Sequence, residues 1–138
     1  MSVENVERIR RFYATWADAT SAADRAAVIS EFCDPDIEWR SLEHAPDAGV
    51  YRGREELCVY LEEYRAVLDN IKATHEELID TDGFDVVAVQ STVGQPRGSA
   101  YAVKLKQATV FTLRGEKVCR AREFPTREEA LEAAGLSE

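Results

Sequence analysis

The feature that most limits the fold lies in residues 101–124. Two strand-length segments, Tyr101–Leu113 and Lys117–Phe124, flank the turn sequence Arg114-Gly115-Glu116. Successive side chains of a strand point to opposite faces, so Val103, Leu105, Gln107, Thr109 and Phe111 share one face. A long hairpin is not stable alone, and its apolar face must be covered by more strands or by helices. The chain supplies both. Leu78-Ile79 and Phe84–Val93 flank Asp82-Gly83, a pair that favours a two-residue hairpin, and Gln95-Pro96-Arg97-Gly98 turns the chain again. Strands are expected at 74–81, 84–94, 100–113 and 117–125.

The first half is helical. Ile9, Phe12, Tyr13 and Trp16 recur at i, i+3, i+4, i+7, so residues 3–19 read as an amphipathic helix. Ser21, with Asp24 three residues on, opens a second helix at 22–33 whose expected buried stripe is Ala22, Ala26, Ile29 and Cys33. Asp34-Pro35 ends it, because a residue before proline avoids the α region. Alternation over Asp36–Leu42 gives a first strand, 36–42, and Pro46, Gly49 and Gly53 make 43–53 a loop. Leu57, Leu61, Tyr64, Leu68 and Ile71 mark a third helix at 54–72, with Tyr60 on the same side. Thr126-Arg127-Glu128-Glu129 is a capping box for a last helix, 127–134, which Gly135 can end in the left-handed region. Helices come mostly first and antiparallel strands later, which is the α+β order. One domain over 1–138 is expected, a curved sheet wrapped around the N-terminal helices. Such a sheet cannot close at one end, and the open mouth is a natural small-molecule site.

Charge and composition remove several functions. A net charge of −9 repels phosphate backbones. The basic tract Arg114, Lys117, Arg120 and Arg122 is interrupted by Glu116 and Glu123 and reads as strand surface, so no nucleic-acid partner is expected. No apolar run approaches the ~18 residues of a membrane span, and residues 1–12 lack the features of a secretory signal. No membrane partner and a cytoplasmic location are therefore expected. Cys33, Cys58 and Cys119 form no CxxC pair and sit in apolar patterns as small hydrophobes. Glu62-Glu63 and Glu76-Glu77 are adjacent pairs whose side chains diverge. No metal site and no cofactor are expected.

Five segments in this order resemble the SnoaL-like branch of the NTF2-like superfamily along nearly the whole chain: Val6–Trp16, Phe32–Ser41, Val50–Glu55, Val110–Arg120 and Glu123–Gly135. The resemblance implies a cone-shaped fold and a homodimer packed through the outer sheet face. It leaves the chemistry open, because the superfamily holds isomerases, dehydratases, epoxide hydrolases, polyketide cyclases and plain ligand binders. Matching to ketosteroid isomerases sets Phe12 opposite the family's tyrosine donor, Arg40 opposite its base and Thr109 opposite its second acid. None of the three can do that chemistry: Phe12 has no donor, and Arg40 stays protonated. The later strand has no acid for an epoxide-hydrolase trio. His44, in a loop, and His75, after the third helix, do not make a dehydratase site.

The same matching turns Cys119, Ala121 and Glu123 inward and Arg120 and Arg122 outward. It implies a pocket for a small hydrophobic molecule, lined by Phe12, Tyr13, Trp16, Trp39, Arg40, Tyr60, Tyr64, Gln107, Thr109, Phe111 and Glu123. Arg40 and Glu123 are the catalytic candidates, facing each other as an ion pair, with Tyr13 or His44 at the rim. If the first strand faces the other way, Asp36 or Glu38 supplies the carboxylate. Three functions stay open: a small-molecule binder or an enzyme of unassigned reaction; a cyclase, isomerase, dehydratase or hydrolase with a displaced carboxylate; and a non-enzymatic interaction or dimerisation domain.

Overall fold

The computed structural model describes residues 2–42, 49–81 and 83–136. In chain order the elements are α1 (Ser2–Asp18), α2 (Ala22–Phe32), β1 (Cys33–Arg40), β2 (Val50–Arg52), α3 (Gly53–Ala66), β3 (Leu68–Asp80), β4 (Asp85–Pro96), β5 (Val103–Arg114), β6 (Lys117–Phe124) and α4 (Arg127–Ala133). The strands form one six-stranded sheet in the order β2-β1-β6-β5-β4-β3. Only β1 and β6 run parallel, and the other pairs are antiparallel. The class is α+β with a mixed, open sheet.

The capping residues act as the sequence indicates. Ser21 Oγ accepts the Asp24 amide at 3.0 Å and Thr126 Oγ1 accepts the Glu129 amide at 3.2 Å, each satisfying a first-turn N–H. Gly135 stands at φ +82, where a left-handed residue ends α4. Arg54 of α3 donates to the carbonyls of Ser30 and Cys33, so it covers the open C-terminal end of α2 and fixes the junction to β1.

Four expectations change. The third helix stops at Ala66, and residues 68–72, expected to be helical, open β3 instead. Leu68 pairs with Pro96 and Asp69 with Gln95, and the register then shifts before Lys72. Asn70, at φ 55, lies in that bulge. A bulge adds one residue, so Leu68 and Ile71 share a face although they are three apart. That spacing imitates a helix. In α2 the buried residues are Val28, Ile29 and Phe32, while Ala22 and Ala26 are exposed, because only its C-terminal half packs on the core. Val50–Arg52, expected within a loop, is a short edge strand on β1. Of the Asp82-Gly83 turn, Asp82 lies outside the described residues, and the strands beside it end at Asp80 and restart at Asp85, wider than a two-residue hairpin.

The sheet buries both faces in its middle. Ile37, Trp39, Val86, Ala88, Phe111, Leu113 and Ala121 face α1, α2 and α3 around Ile9, Phe12, Phe32 and Leu57. On the outer face, Val87, Ala108 and Val110 pack under Ala130 and Leu131 of α4. The continuous apolar run Val86–Val89 is what a two-sided strand needs. Among the described residues no helix is long and apolar enough to cross a membrane.

Candidate functional site

The inner core is incomplete at one end of the sheet. Cross-strand register stacks the inner face in levels. Trp39, Ala121, Phe111 and Val86 form a floor; Glu123, Thr109, Ala88 and Leu78 come next; then Gln107, Gln90 and His75; then Leu105, Thr92 and Ala73. Above the floor α1 and α3 stand away from the sheet, leaving a cavity of about 460 Å³. That is within the usual size of a small-molecule site.

Helical spacing brings Phe12, Tyr13 and Trp16 of α1 to this space, and Tyr60 and Tyr64 of α3 do the same from the other side. Strand alternation brings in Trp39, Gln107, Phe111 and Glu123. The aromatic rings hold one another edge to face, with Trp39 and Phe111 5.9 Å apart and Tyr13 and His75 5.3 Å apart between centroids.

Two expected residues are not in the lining. Arg40 is exposed. Ile37, Trp39 and Ser41 take the buried side of β1, so the residue between Trp39 and Ser41 must face out, where it pairs in register with Arg122. The expected Arg40–Glu123 ion pair is therefore absent, and Trp39 takes its place. Thr109 faces inward at the level of Glu123 but is fully buried and outside the lining, and its hydroxyl has no hydrogen-bond partner among the described residues. The alternative carboxylates are also outside: Asp36 is exposed and Glu38 faces Arg52 at 3.7 Å. His44 lies outside the described residues.

Glu123 is the acid of the described lining. Its Oε2 accepts the Trp39 indole N–H at 2.7 Å and its Oε1 accepts the Leu42 amide at 3.3 Å. Both donors fix the direction of the carboxylate. Beside it, the Tyr13 hydroxyl donates to Gln90 Oε1 at 2.5 Å, and Gln90 Nε2 donates to Thr92 Oγ1 at 3.1 Å. Burial, and then the charge of Glu123, push the Tyr13 hydroxyl well above its ordinary range, so it stays a donor at every physiological pH. The site thus pairs an oriented carboxylate with a phenol donor in an aromatic chamber.

Gln90, Thr92 and Arg65 also border the cavity and were not among the expected residues. The signal for the first two was present: in β4, Val86, Ala88, Gln90 and Thr92 share one face, which turns polar halfway along. Arg65 follows Tyr64 and stands four residues after Leu61, both of them lining residues. Among the described residues no cluster of three His, Cys, Asp or Glu side chains is arranged to hold a metal ion.

Residues 9–121 match the family model of the SnoaL-like domain. No curated protein sequence matches the chain. Among solved structures, Bal32a, from a soil-derived mobile gene cassette, is 20% identical with a TM-score of 0.73, and 88% of each chain is covered. TerC, co-crystallised with polyporic acid, is 21% identical with a TM-score of 0.72, covering 96% of this chain and 98% of its own. A protein from Jannaschia, provisionally named a SnoaL-like polyketide cyclase, is 20% identical with a TM-score of 0.70, over 96% and 92%. At these identities the likeness is one of fold.

Proposed function

The chain belongs to the SnoaL-like domain family, and from that premise we propose that its cavity takes an apolar, ring-bearing small molecule and that Glu123 acts on it as a proton acceptor. The observation that carries this reading is the placement of one oriented carboxylate at a largely aromatic chamber. A carboxylate held by two N–H donors cannot rotate away from the ligand, and an apolar chamber strengthens every charge interaction inside it. The chemistry such a pair supports is removal of a proton from a carbon beside a carbonyl. Glu123 receives the proton, and the Tyr13 hydroxyl, swinging from Gln90, donates to the oxygen on which charge develops. The likeness to TerC and to the Jannaschia protein supports the same class of ligand.

The test is solvent exchange of the α-protons of 2-tetralone in deuterated buffer, followed by NMR. The native protein should accelerate exchange, and Glu123→Gln should lose at least about 100-fold of that rate while still binding the ketone. Equal rates for the two proteins would remove Glu123 from the chemistry.

We further propose that a second copy covers the outer sheet face beyond α4, where Val89 is half-buried and Val93 is 40% exposed. Sedimentation should give twice the 15.5 kDa chain mass at micromolar concentration. A 15.5 kDa species throughout would rule it out.

A further inference from the structure

Proton transfer through Glu123 and Tyr13 leaves the half-buried cation of the cavity without a task. Arg65 sits in the last turn of α3, is partly buried, and lines the chamber. Its nearest helical neighbour of opposite charge is Glu62, three residues back. Both Glu62 oxygens are already taken by Arg25, whose Nε and guanidinium N–H donate at 2.7 and 2.8 Å. Arg65 itself makes no ion pair among the described residues. In a chain of net charge −9, carboxylates are plentiful, yet among the described residues none closes on this guanidinium. Burial, and then the nearby charge of Arg25, lower the Arg65 pKa against the weaker opposing pull of Glu62.

The position along the cavity matters as much as the charge. Glu123 stands one level above the aromatic floor. Arg65 belongs to the other end, where α3 gives way to β3 and where Asn70, Ile71 and Lys72 complete the lining. From the Glu123 level to the Ala73–Thr92 level is four strand residues, about 13 Å. Lys72, between Ile71 and Ala73 on β3, is exposed and borders the same end, adding positive potential there. Between the acid and the cation the helix side is aromatic, with Tyr13, Trp16, Tyr60 and Tyr64, while the sheet side carries Gln107 and Gln90.

We propose that Arg65 binds an anionic head group, so that the molecule taken up is an elongated apolar acid with its oxyanion at the mouth and its reacting end toward Glu123. The inference rests on the cavity being the ligand site. A planar guanidinium offers paired N–H donors to a carboxylate or sulfonate, and the partial loss of water makes that contact stronger than a surface ion pair. The same charge repels cationic ligands and leaves neutral ones indifferent, so it selects among molecules of similar apolar body.

Two fluorescent probes of similar body and different charge separate the possibilities: anionic 1-anilinonaphthalene-8-sulfonate and neutral N-phenyl-1-naphthylamine. The native protein should bind the sulfonate about tenfold more tightly than the amine, and this preference should shrink as salt is raised. Arg65→Met should erase the preference and leave the affinity for the amine unchanged. Arg65→Lys, which keeps the charge but not the fork, should retain part of it and guards against a folding defect in the first variant. Ala73→Trp, which fills the chamber, should abolish binding of both. A preference that survives Arg65→Met, or no preference in the native protein while the amine still binds, overturns the role of Arg65 and leaves the cavity reading standing. Failure of both probes to bind, or binding unaffected by Ala73→Trp, overturns the cavity reading and the inference with it.

Discussion

Deleting the Glu123 carboxylate should destabilise the protein through Trp39, and the coupling between the two can be measured. Trp39 is 8% exposed, and its indole N–H reaches Glu123 Oε2 at 2.7 Å. A hydrogen bond to an ionised group contributes about 1.5–3 kcal/mol, and a buried donor left without an acceptor costs a similar amount. Glu123→Ala strands that donor and removes the acceptor of the Leu42 amide. It also relieves the carboxylate's own desolvation, so a net loss of about 2 kcal/mol is expected. Trp39→Phe keeps a ring on the Phe111 edge, removes the donor, and loses some packing, for about 2–3 kcal/mol. The double variant should be less destabilised than the sum by about 1–2 kcal/mol, because the shared bond is lost once. Unfolding in urea at pH 7, with equal m-values, reads these numbers. By heat, 1 kcal/mol corresponds to about 3 °C for a chain of this length. Arg40→Ala is the control, and as an exposed residue it should change stability by less than about 0.5 kcal/mol. Strict additivity of Trp39→Phe and Glu123→Ala, or a loss of several kcal/mol in Arg40→Ala, would refute the placement of β1 on which the site depends.

Thr109→Val should stabilise the protein by up to about 1 kcal/mol, since the hydroxyl it removes is buried and makes no hydrogen bond among the described residues; a loss above about 1 kcal/mol in urea unfolding would mean that the hydroxyl has a partner. Glu62→Gln should weaken the fold at neutral pH but not in acid. Arg25, through its hydrogen bond, holds the Glu62 carboxyl below its ordinary 4.5, so its contribution is complete above about pH 4.5 and disappears as pH falls through the lowered value. A stability difference that persists unchanged to pH 2 would contradict this. Cys33 should resist thiol reagents in the native state at pH 8, because burial pushes its thiol up to about 12; labelling at the rate of an exposed thiol would show that the α2–β1 junction opens.

The chemistry of the site was less legible in the sequence than its aromatic frame. Phe12, Tyr13 and Trp16 declare a helix face by their spacing, and the Gln107–Phe111 alternation declares a strand face, because both periods are properties of a single element. The phase of β1 was not legible in the same way. Asp36–Leu42 alternates in either sense, and only its parallel register on β6, with Trp39 opposite Ala121, decides that Trp39 rather than Arg40 points in. Family matching gave the opposite phase, and a strand slipped by one residue exchanges every inward side chain for its neighbour. The overlong third helix failed for a related reason. The bulge at Asn70 gives Leu68 and Ile71 a helical spacing within a strand, and pairing with the last residues of β4 outweighs local preference. Arg65 shows no pattern of its own in the sequence, since its character comes from Arg25 having already taken Glu62.

The most direct test of the cavity as the ligand site uses the two tryptophans as reporters. Trp16 and Trp39 both line the chamber, whereas Arg127–Ala133 of α4 lies across the sheet from it. In a nitrogen–proton correlation spectrum titrated with 2-naphthol, a neutral ring carrying a hydroxyl donor for Glu123, both indole N–H resonances should move and saturate together. The amides of α4 should stay in place. Shifts concentrated in α4, or indole signals unmoved at millimolar naphthol, would contradict a binding chamber between the helices and the inner face of the sheet.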